Sequence, residues 1–144
     1  MLVGIIRSYG QFSLRAEFMD EYVAEELQAA REAVSDAEKM HEGEVTDNAI
    51  VNRLYYACFH AAQAALASKD VSVTSHRGLV SMFGKELVKT GEASPEQGRF
   101  LNTMQMYRLT ADYEHKPIDA EITGLLSRTK KFVEEMERLC RSGD

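Results

Sequence analysis

The sequence predicts an all-α fold, an antiparallel up-and-down bundle of about five helices. Apolar residues recur at intervals of three and four, no stretch alternates apolar and polar residues for the length of a strand, and only two prolines interrupt the 144 residues. The segments between the predicted helices are short, which favours antiparallel neighbours. With 44% hydrophobic and 28% charged residues, the chain has the composition of a globular domain.

The first two predicted helices differ in their patterns. The first spans residues 16–41 and carries one apolar stripe, as expected for a helix with one face on a core. The second spans residues 46–68, opens at Thr46 or Asp47 as its cap, and is apolar almost all the way round. This second helix is therefore predicted to lie at the centre of the bundle.

Three further helices complete the bundle. The third is predicted over residues 75–90, with Gly91 just beyond its end. The fourth opens at SPEQ, where Ser94 caps the helix and Gln97 closes a capping box, and it ends near His115 because Pro117 follows. The fifth carries a regular apolar stripe, formed by Ile122, Leu125, Leu126, Phe132, Val133, Met136 and Leu139.

The domain limits and the location of the protein follow from the ends of the chain and its cysteines. Residues 1–15 are predicted to be an N-terminal extension to one domain covering residues 16–144. The apolar run in that extension is too short to cross a membrane, so no membrane association is expected. Cys58 and Cys140 lie in helical stretches and form no metal-binding motif, which favours a reducing, cytoplasmic environment and predicts neither a metal nor a cofactor.

The fourth helix carries a polar strip with apolar residues on both sides. At about 100° per residue, Gln105, Arg108, Asp112 and His115 fall within an arc of about 80°. Such a strip is expected to line a cleft or to face a second copy of the chain. The apolar surface on both flanks exceeds what one bundle core can cover, and this predicts a homodimer.

Two interpretations of this strip remain open at this stage. In the structural one, Arg108 and Asp112 form an ion pair along the helix and His115 caps its end. In the catalytic one, Arg108 binds phosphate and His115 transfers protons. The spacing does not decide between them, because Arg53 and His60 are separated by the same interval.

Other residues are candidates for contact with phosphate or a nucleotide. Arg53 and His60 share a strip of the second helix, where a buried polar network is the simpler explanation. His76 and Arg77 follow Ser75 at a helix N-terminus, where capping competes with anion binding. The net charge of −6 argues against a general affinity for nucleic acid, so any RNA must be bound locally.

Several longer stretches resemble the HEPN family, in particular its small single-domain prokaryotic members of the UPF0332 type. They are NRLYYACFHAAQAAL (52–66), SHRGLVSMFGKELVKTG (75–91), RLTADYEH (108–115) and AEITGLLSRTKKFVEEM (120–136), in order and with matching spacing. The resemblance covers roughly residues 17–140 and implies a helical bundle that dimerises.

The resemblance also implies a function. Many members of the family are metal-independent ribonucleases with an Arg-x(4–6)-His motif at the dimer cleft, and some are toxins paired with a small nucleotidyltransferase antitoxin of the MNT type. Arg108 and His115 occupy the motif, and Tyr113 matches a tyrosine near it that receives a nucleotide in related toxins. Leu109 departs from the polar residue that commonly follows the arginine. The alternative is a non-catalytic subunit that binds nucleotide or protein, or a plain scaffold.

Overall fold

The computed structural model describes the backbone of residues 9–73, 75–114 and 116–141, and the side chains of these residues from Asp20 onward. Across these ranges the chain forms helices and no strand, which confirms the predicted all-α bundle. The helices are α1 (Tyr9–Glu42), α2 (Asp47–Ala67), α3 (His76–Phe83), α4 (Pro95–Leu109) and α5 (Ile122–Arg141). Two π-helical turns, Gly84–Val88 and Thr110–Glu114, extend α3 and α4.

Helix α2 lies at the centre of the bundle, as predicted from its nearly continuous apolar sequence. It packs against α1, α4 and α5 and contacts α3. Its alanines Ala57, Ala61 and Ala65 are completely buried, and their small side chains let the neighbouring helices approach closely. The Thr46 hydroxyl caps its start by accepting a hydrogen bond from the amide of Ala49 at 3.3 Å. The residues of α2 that face α4 position the candidate site.

Helix α4 begins at the predicted capping box. The Gln97 amide donates to the Ser94 hydroxyl at 3.1 Å, and the Ser94 amide donates to Gln97 Oε1 at 2.8 Å. The helix then buries Phe100, Leu101 and Met104 in the core. After Leu109 the chain continues as a π-helical turn, a wider helix in which each residue advances by a smaller angle. Side chains beyond Leu109 therefore depart from the positions that a regular helix predicts.

Three details of the helices differ from the predictions or refine them. Helix α1 begins at Tyr9, seven residues before the predicted start. The third predicted helix is split into α3 and a π-helical turn, and Gly91 beyond it has a φ of 87°, the left-handed conformation expected at a helix C-terminus. Whether residues 1–15 stand apart from the domain stays a prediction. No helix of the described chain is long and apolar enough to cross a membrane.

Candidate functional site

Arg108 lies where the end of α4 crosses an aromatic surface of α2. Its side chain is only 15% exposed. The guanidinium carbon is 5.3 Å from the centre of the Tyr55 ring and 6.0 Å from that of Tyr56. The ring of Tyr113, from the π-helical turn, covers it at 5.8 Å. Attraction between the cation and these ring faces holds the guanidinium in place without using its N–H groups.

Asp112 is the counter-ion of Arg108, as the structural interpretation of the strip predicted. Arg108 Nε lies 3.2 Å from Asp112 Oδ2, which is ion-pair distance. The N–H is nevertheless not aligned with this oxygen, and the buried Nε atom has no hydrogen-bond partner in the described part of the chain. We therefore treat the contact as a charge pair without a hydrogen bond. A buried donor left in this state is costly unless a further group accepts from it.

Asn52 of α2 also binds Asp112. Its amide nitrogen donates to Asp112 Oδ2 at 3.1 Å. Beside this contact is a cleft of about 360 Å³, lined by Met40, Asn48, Ala49, Asn52, Arg53 and Asp112. Amide, guanidinium and carboxylate groups thus face an open space next to Arg108, which is the kind of surface that holds a polar ligand.

His76, at the start of α3, lies against the same aromatic residues of α2 as Arg108. Its ring stacks on Phe59 with centroids 4.3 Å apart and an interplanar angle of 17°. Its Nδ1 atom lies 2.6 Å from the hydroxyl of Tyr55, whose ring also contacts the Arg108 guanidinium. Burial lowers the pKa of His76, and the charges of Arg108 and His60 lower it further. His76 is therefore predominantly neutral at neutral pH, and it lies within electrostatic range of Arg108.

Arg53 and His60 do not interact with each other. His60 forms an ion pair with Glu26 of α1, with 2.9 Å between Nδ1 and Oε1. Arg53 instead lies over the Tyr56 ring, 5.3 Å from its centre, and lines the cleft. His60 therefore has a partly buried polar partner on α1, whereas the buried network predicted for Arg53 and His60 together stays a prediction.

The remaining predicted site residues lie in different environments. Gln105 makes a long 3.5 Å hydrogen bond to the backbone oxygen of His76. Tyr113 is 68% exposed. Arg77 is exposed, and in the described chain the α3 N-terminus is capped by the Ser75 hydroxyl. His115 lies outside the described residues.

Sequence reasoning missed three partners of the site. Asn52 binds Asp112, Tyr55 binds His76 through its hydroxyl, and Glu26 binds His60. Only the first had a signal in the sequence, because Asn48 and Asn52 are polar residues one turn apart on a largely apolar helix. The other two contacts join helices that no local pattern connects.

The two cysteines are not part of the candidate site. Cys58 is buried, and burial raises the pKa of its thiol to about 12; burial also raises the pKa of Cys140. Both thiols are therefore protonated at neutral pH and unreactive. In the described residues no group of three or more His, Cys, Asp or Glu side chains is arranged to hold a metal ion.

Comparison with known proteins identifies the class to which this bundle belongs. Residues 23–142 match the HEPN domain, and the chain therefore belongs to the HEPN family. A UPF0332 protein of Thermotoga maritima is 35% identical over 118 residues, which cover 76% of this chain and 89% of that protein. A Methanocaldococcus jannaschii protein named "Putative toxin" is 33% identical over 116 residues, covering 74% and 78%. A second protein of that name and organism is 31% identical over 121 residues, covering 81% and 90%.

Proposed function

We propose that this HEPN protein is a toxin-like endoribonuclease that needs no metal, with Arg108 and His115 as its catalytic residues. The observation that carries the proposal is the state of Arg108. Its side chain is largely buried, Asp112 is its ion-pair partner within the described chain, and its buried Nε atom has no hydrogen-bond partner among the described residues. An arginine that only stabilised the helix would be expected to use its N–H groups. The toxin-like role is supported by the similarity to the two proteins named as toxins.

The chemistry assigns a separate task to each residue. The 2′-oxygen of the RNA attacks the adjacent phosphorus, the bond from phosphorus to the 5′-oxygen breaks, and a 2′,3′-cyclic phosphate and a 5′-hydroxyl are formed. A base takes the proton of the 2′-hydroxyl and an acid returns a proton to the departing oxygen, and His115 fills one of these roles. Arg108 offers its planar fork to the phosphate oxygens, where negative charge grows in the transition state.

The purified protein is expected to cut single-stranded RNA in the presence of a chelator. Termini can be assigned by mass spectrometry, and a 2′,3′-cyclic phosphate is the expected end. RNA that stays intact under these conditions would contradict the proposed activity and favour the non-catalytic alternative. Cleavage that appears only after addition of a divalent cation would contradict the metal-independent mechanism.

We further propose that the protein acts as a homodimer through the outer face of α4. Met106 and Leu109 lie on this face and are 58% and 37% exposed, while the opposite flank is buried in the bundle. A stripe of exposed apolar residues beside a charged strip is suited to a two-fold contact that brings both copies of Arg108 together. Light scattering at micromolar concentration should give twice the chain mass, and Leu109→Asp should halve it. A monomeric wild-type protein would contradict this proposal.

A nucleotidyltransferase antitoxin is the proposed partner. The exposed ring of Tyr113 lies beside Arg108, so its hydroxyl is accessible for nucleotide transfer and a modified tyrosine would obstruct the site. Co-expression with a nucleotidyltransferase encoded by a neighbouring gene, followed by mass measurement of the Tyr113 peptide, tests the pairing. A peptide of unmodified mass, with the toxin still active, would contradict it.

A further inference from the structure

The contact between His76 and Tyr55 defines which nitrogen of His76 carries a proton. Tyr55 is 1% exposed, and burial raises its pKa to about 12, so its hydroxyl is protonated at neutral pH. His76 Nδ1, at 2.6 Å, is the only hydrogen-bond partner of this hydroxyl in the described chain. If Nδ1 donated instead, the hydroxyl hydrogen would be buried without an acceptor, which is unfavourable. The hydroxyl therefore donates to Nδ1, and the ring hydrogen of neutral His76 is on Nε2.

The position of the ring makes this Nε2–H group available. Stacking on Phe59 and the hydrogen bond to Tyr55 fix the plane and the rotation of the imidazole. Nε2 is on the side of the ring away from the Tyr55 hydroxyl, and no described residue accepts a hydrogen bond from it. The Arg108 guanidinium lies over the ring face of the same Tyr55. Tyr55 thus contacts both Arg108, through its ring face, and His76, through its hydroxyl.

We propose that His76 is a second phosphate-binding residue of the RNA site, donating a hydrogen bond from Nε2 to the phosphodiester that Arg108 binds, with Tyr55 as its positioning residue. This inference rests on the proposed function. It gives His76 a role different from that of His115, because a neutral imidazole with its hydrogen on Nε2 acts as a donor without transferring a proton. The low pKa of His76 is consistent with that role, since the ring is neutral when RNA arrives.

Two substitutions at residue 76 separate this role from the alternatives. His76→Gln keeps an N–H donor close to the position of Nε2 but loses the aromatic ring. His76→Phe keeps the ring that stacks on Phe59 but loses both nitrogens. His41→Phe is the matched control, since His41 is an exposed histidine at the end of α1 that contacts only Thr123 among the described residues.

The measurement is the affinity of each variant for an oligonucleotide whose 2′-hydroxyls are replaced by hydrogen, which is bound and cannot be cut. A hydrogen bond to a charged group predicts that His76→Phe weakens binding roughly ten- to hundred-fold. His76→Gln, which keeps a donor but not the contacts that fix it, should lose less affinity than His76→Phe, and His41→Phe should remain within about three-fold of wild type. RNA cleavage should follow the same order, and thermal unfolding identifies any variant that fails to fold.

Other outcomes would overturn the inference. Weaker binding by His76→Gln than by His76→Phe would mean that His76 only stacks. Equal losses in both would mean that the imidazole itself is required, and no loss in either would remove His76 from the site. Nitrogen NMR of the free protein gives a result that does not depend on activity, because a ring hydrogen on Nδ1 would contradict the donor role. A wild-type protein that neither binds nor cuts RNA would instead overturn the proposed function, and this inference with it.

Discussion

Arg108→Ala is expected to lower the rate of RNA cleavage by roughly a hundred- to a thousand-fold, the effect of removing one well-placed donor to a transition-state oxyanion. The guanidinium is held by Tyr55, Tyr56 and Tyr113, and a water-filled gap would take its place. Asp112 would keep its hydrogen bond from Asn52 but lose its counter-ion, leaving a negative charge where phosphate binds. Single-turnover cleavage of a labelled RNA measures the loss.

Two further variants show whether this loss is specific. Arg108→Lys keeps the charge but has no planar fork, so it should recover only part of the rate. Arg99→Ala removes an exposed arginine two to three turns earlier on the same helix and should leave the rate unchanged. Arg108→Ala should also unfold at a somewhat lower temperature, since cation–π contacts of this kind contribute about 1 to 2 kcal/mol. If Arg108→Ala cut RNA as fast as Arg99→Ala, the residue would be structural only.

His115→Ala is expected to lower the rate by roughly a hundred- to ten-thousand-fold, because it removes the group that transfers the proton. The wild-type rate should change with pH near neutrality, where an imidazole titrates, and the variant should lose that dependence. The pH–rate profile of both proteins on the same RNA is the measurement. Binding of the uncleavable oligonucleotide should change little, since phosphate binding is assigned to other residues.

His41→Ala is the control for this substitution. His41 is exposed and contacts Thr123, far along the chain from the motif, so its loss should leave both the rate and the pH profile unchanged. Should His115→Ala retain the wild-type rate and profile, proton transfer would have to be assigned to another residue. His76 and His60 would then be the histidines to replace, because His76 lies within electrostatic range of Arg108 and of His60.

Local sequence patterns predicted most of the fold because the helices and their caps depend on neighbouring residues. Residues within one turn were enough to predict the capping box at Ser94 and Gln97 and the left-handed conformation of Gly91. The even distribution of apolar residues on α2 placed this helix at the centre, since such a helix is stable only when surrounded. The π-helical turn at Thr110–Glu114 was not predicted, because periodicity assumes regular α-helical geometry.

The site was less predictable than the fold, because its contacts join distant parts of the chain. The helical spacing predicted the pair of Arg108 and Asp112, which lie on one helix. Tyr55 and His76 are twenty-one residues apart in the sequence, and their contact depends on how α3 packs against α2. The contact of His60 with Glu26 depends on how α1 packs against α2. The Tyr55 ring is buried in the core, as expected for a helix that is apolar almost all the way round, but its hydroxyl also positions a histidine.

A double-mutant cycle at Arg108 and His115 tests the central claim most directly. If the two residues act on one phosphodiester in one step, removing either should disable that step, and the double variant should be about as slow as the slower single variant. Single-turnover rates of the wild-type protein, the two alanine variants and the double variant, measured on one RNA in chelator, provide the comparison. The loss in the double variant should be far smaller than the product of the two single effects. Losses that multiply, or a double variant that cuts RNA at the wild-type rate, would contradict a shared catalytic site.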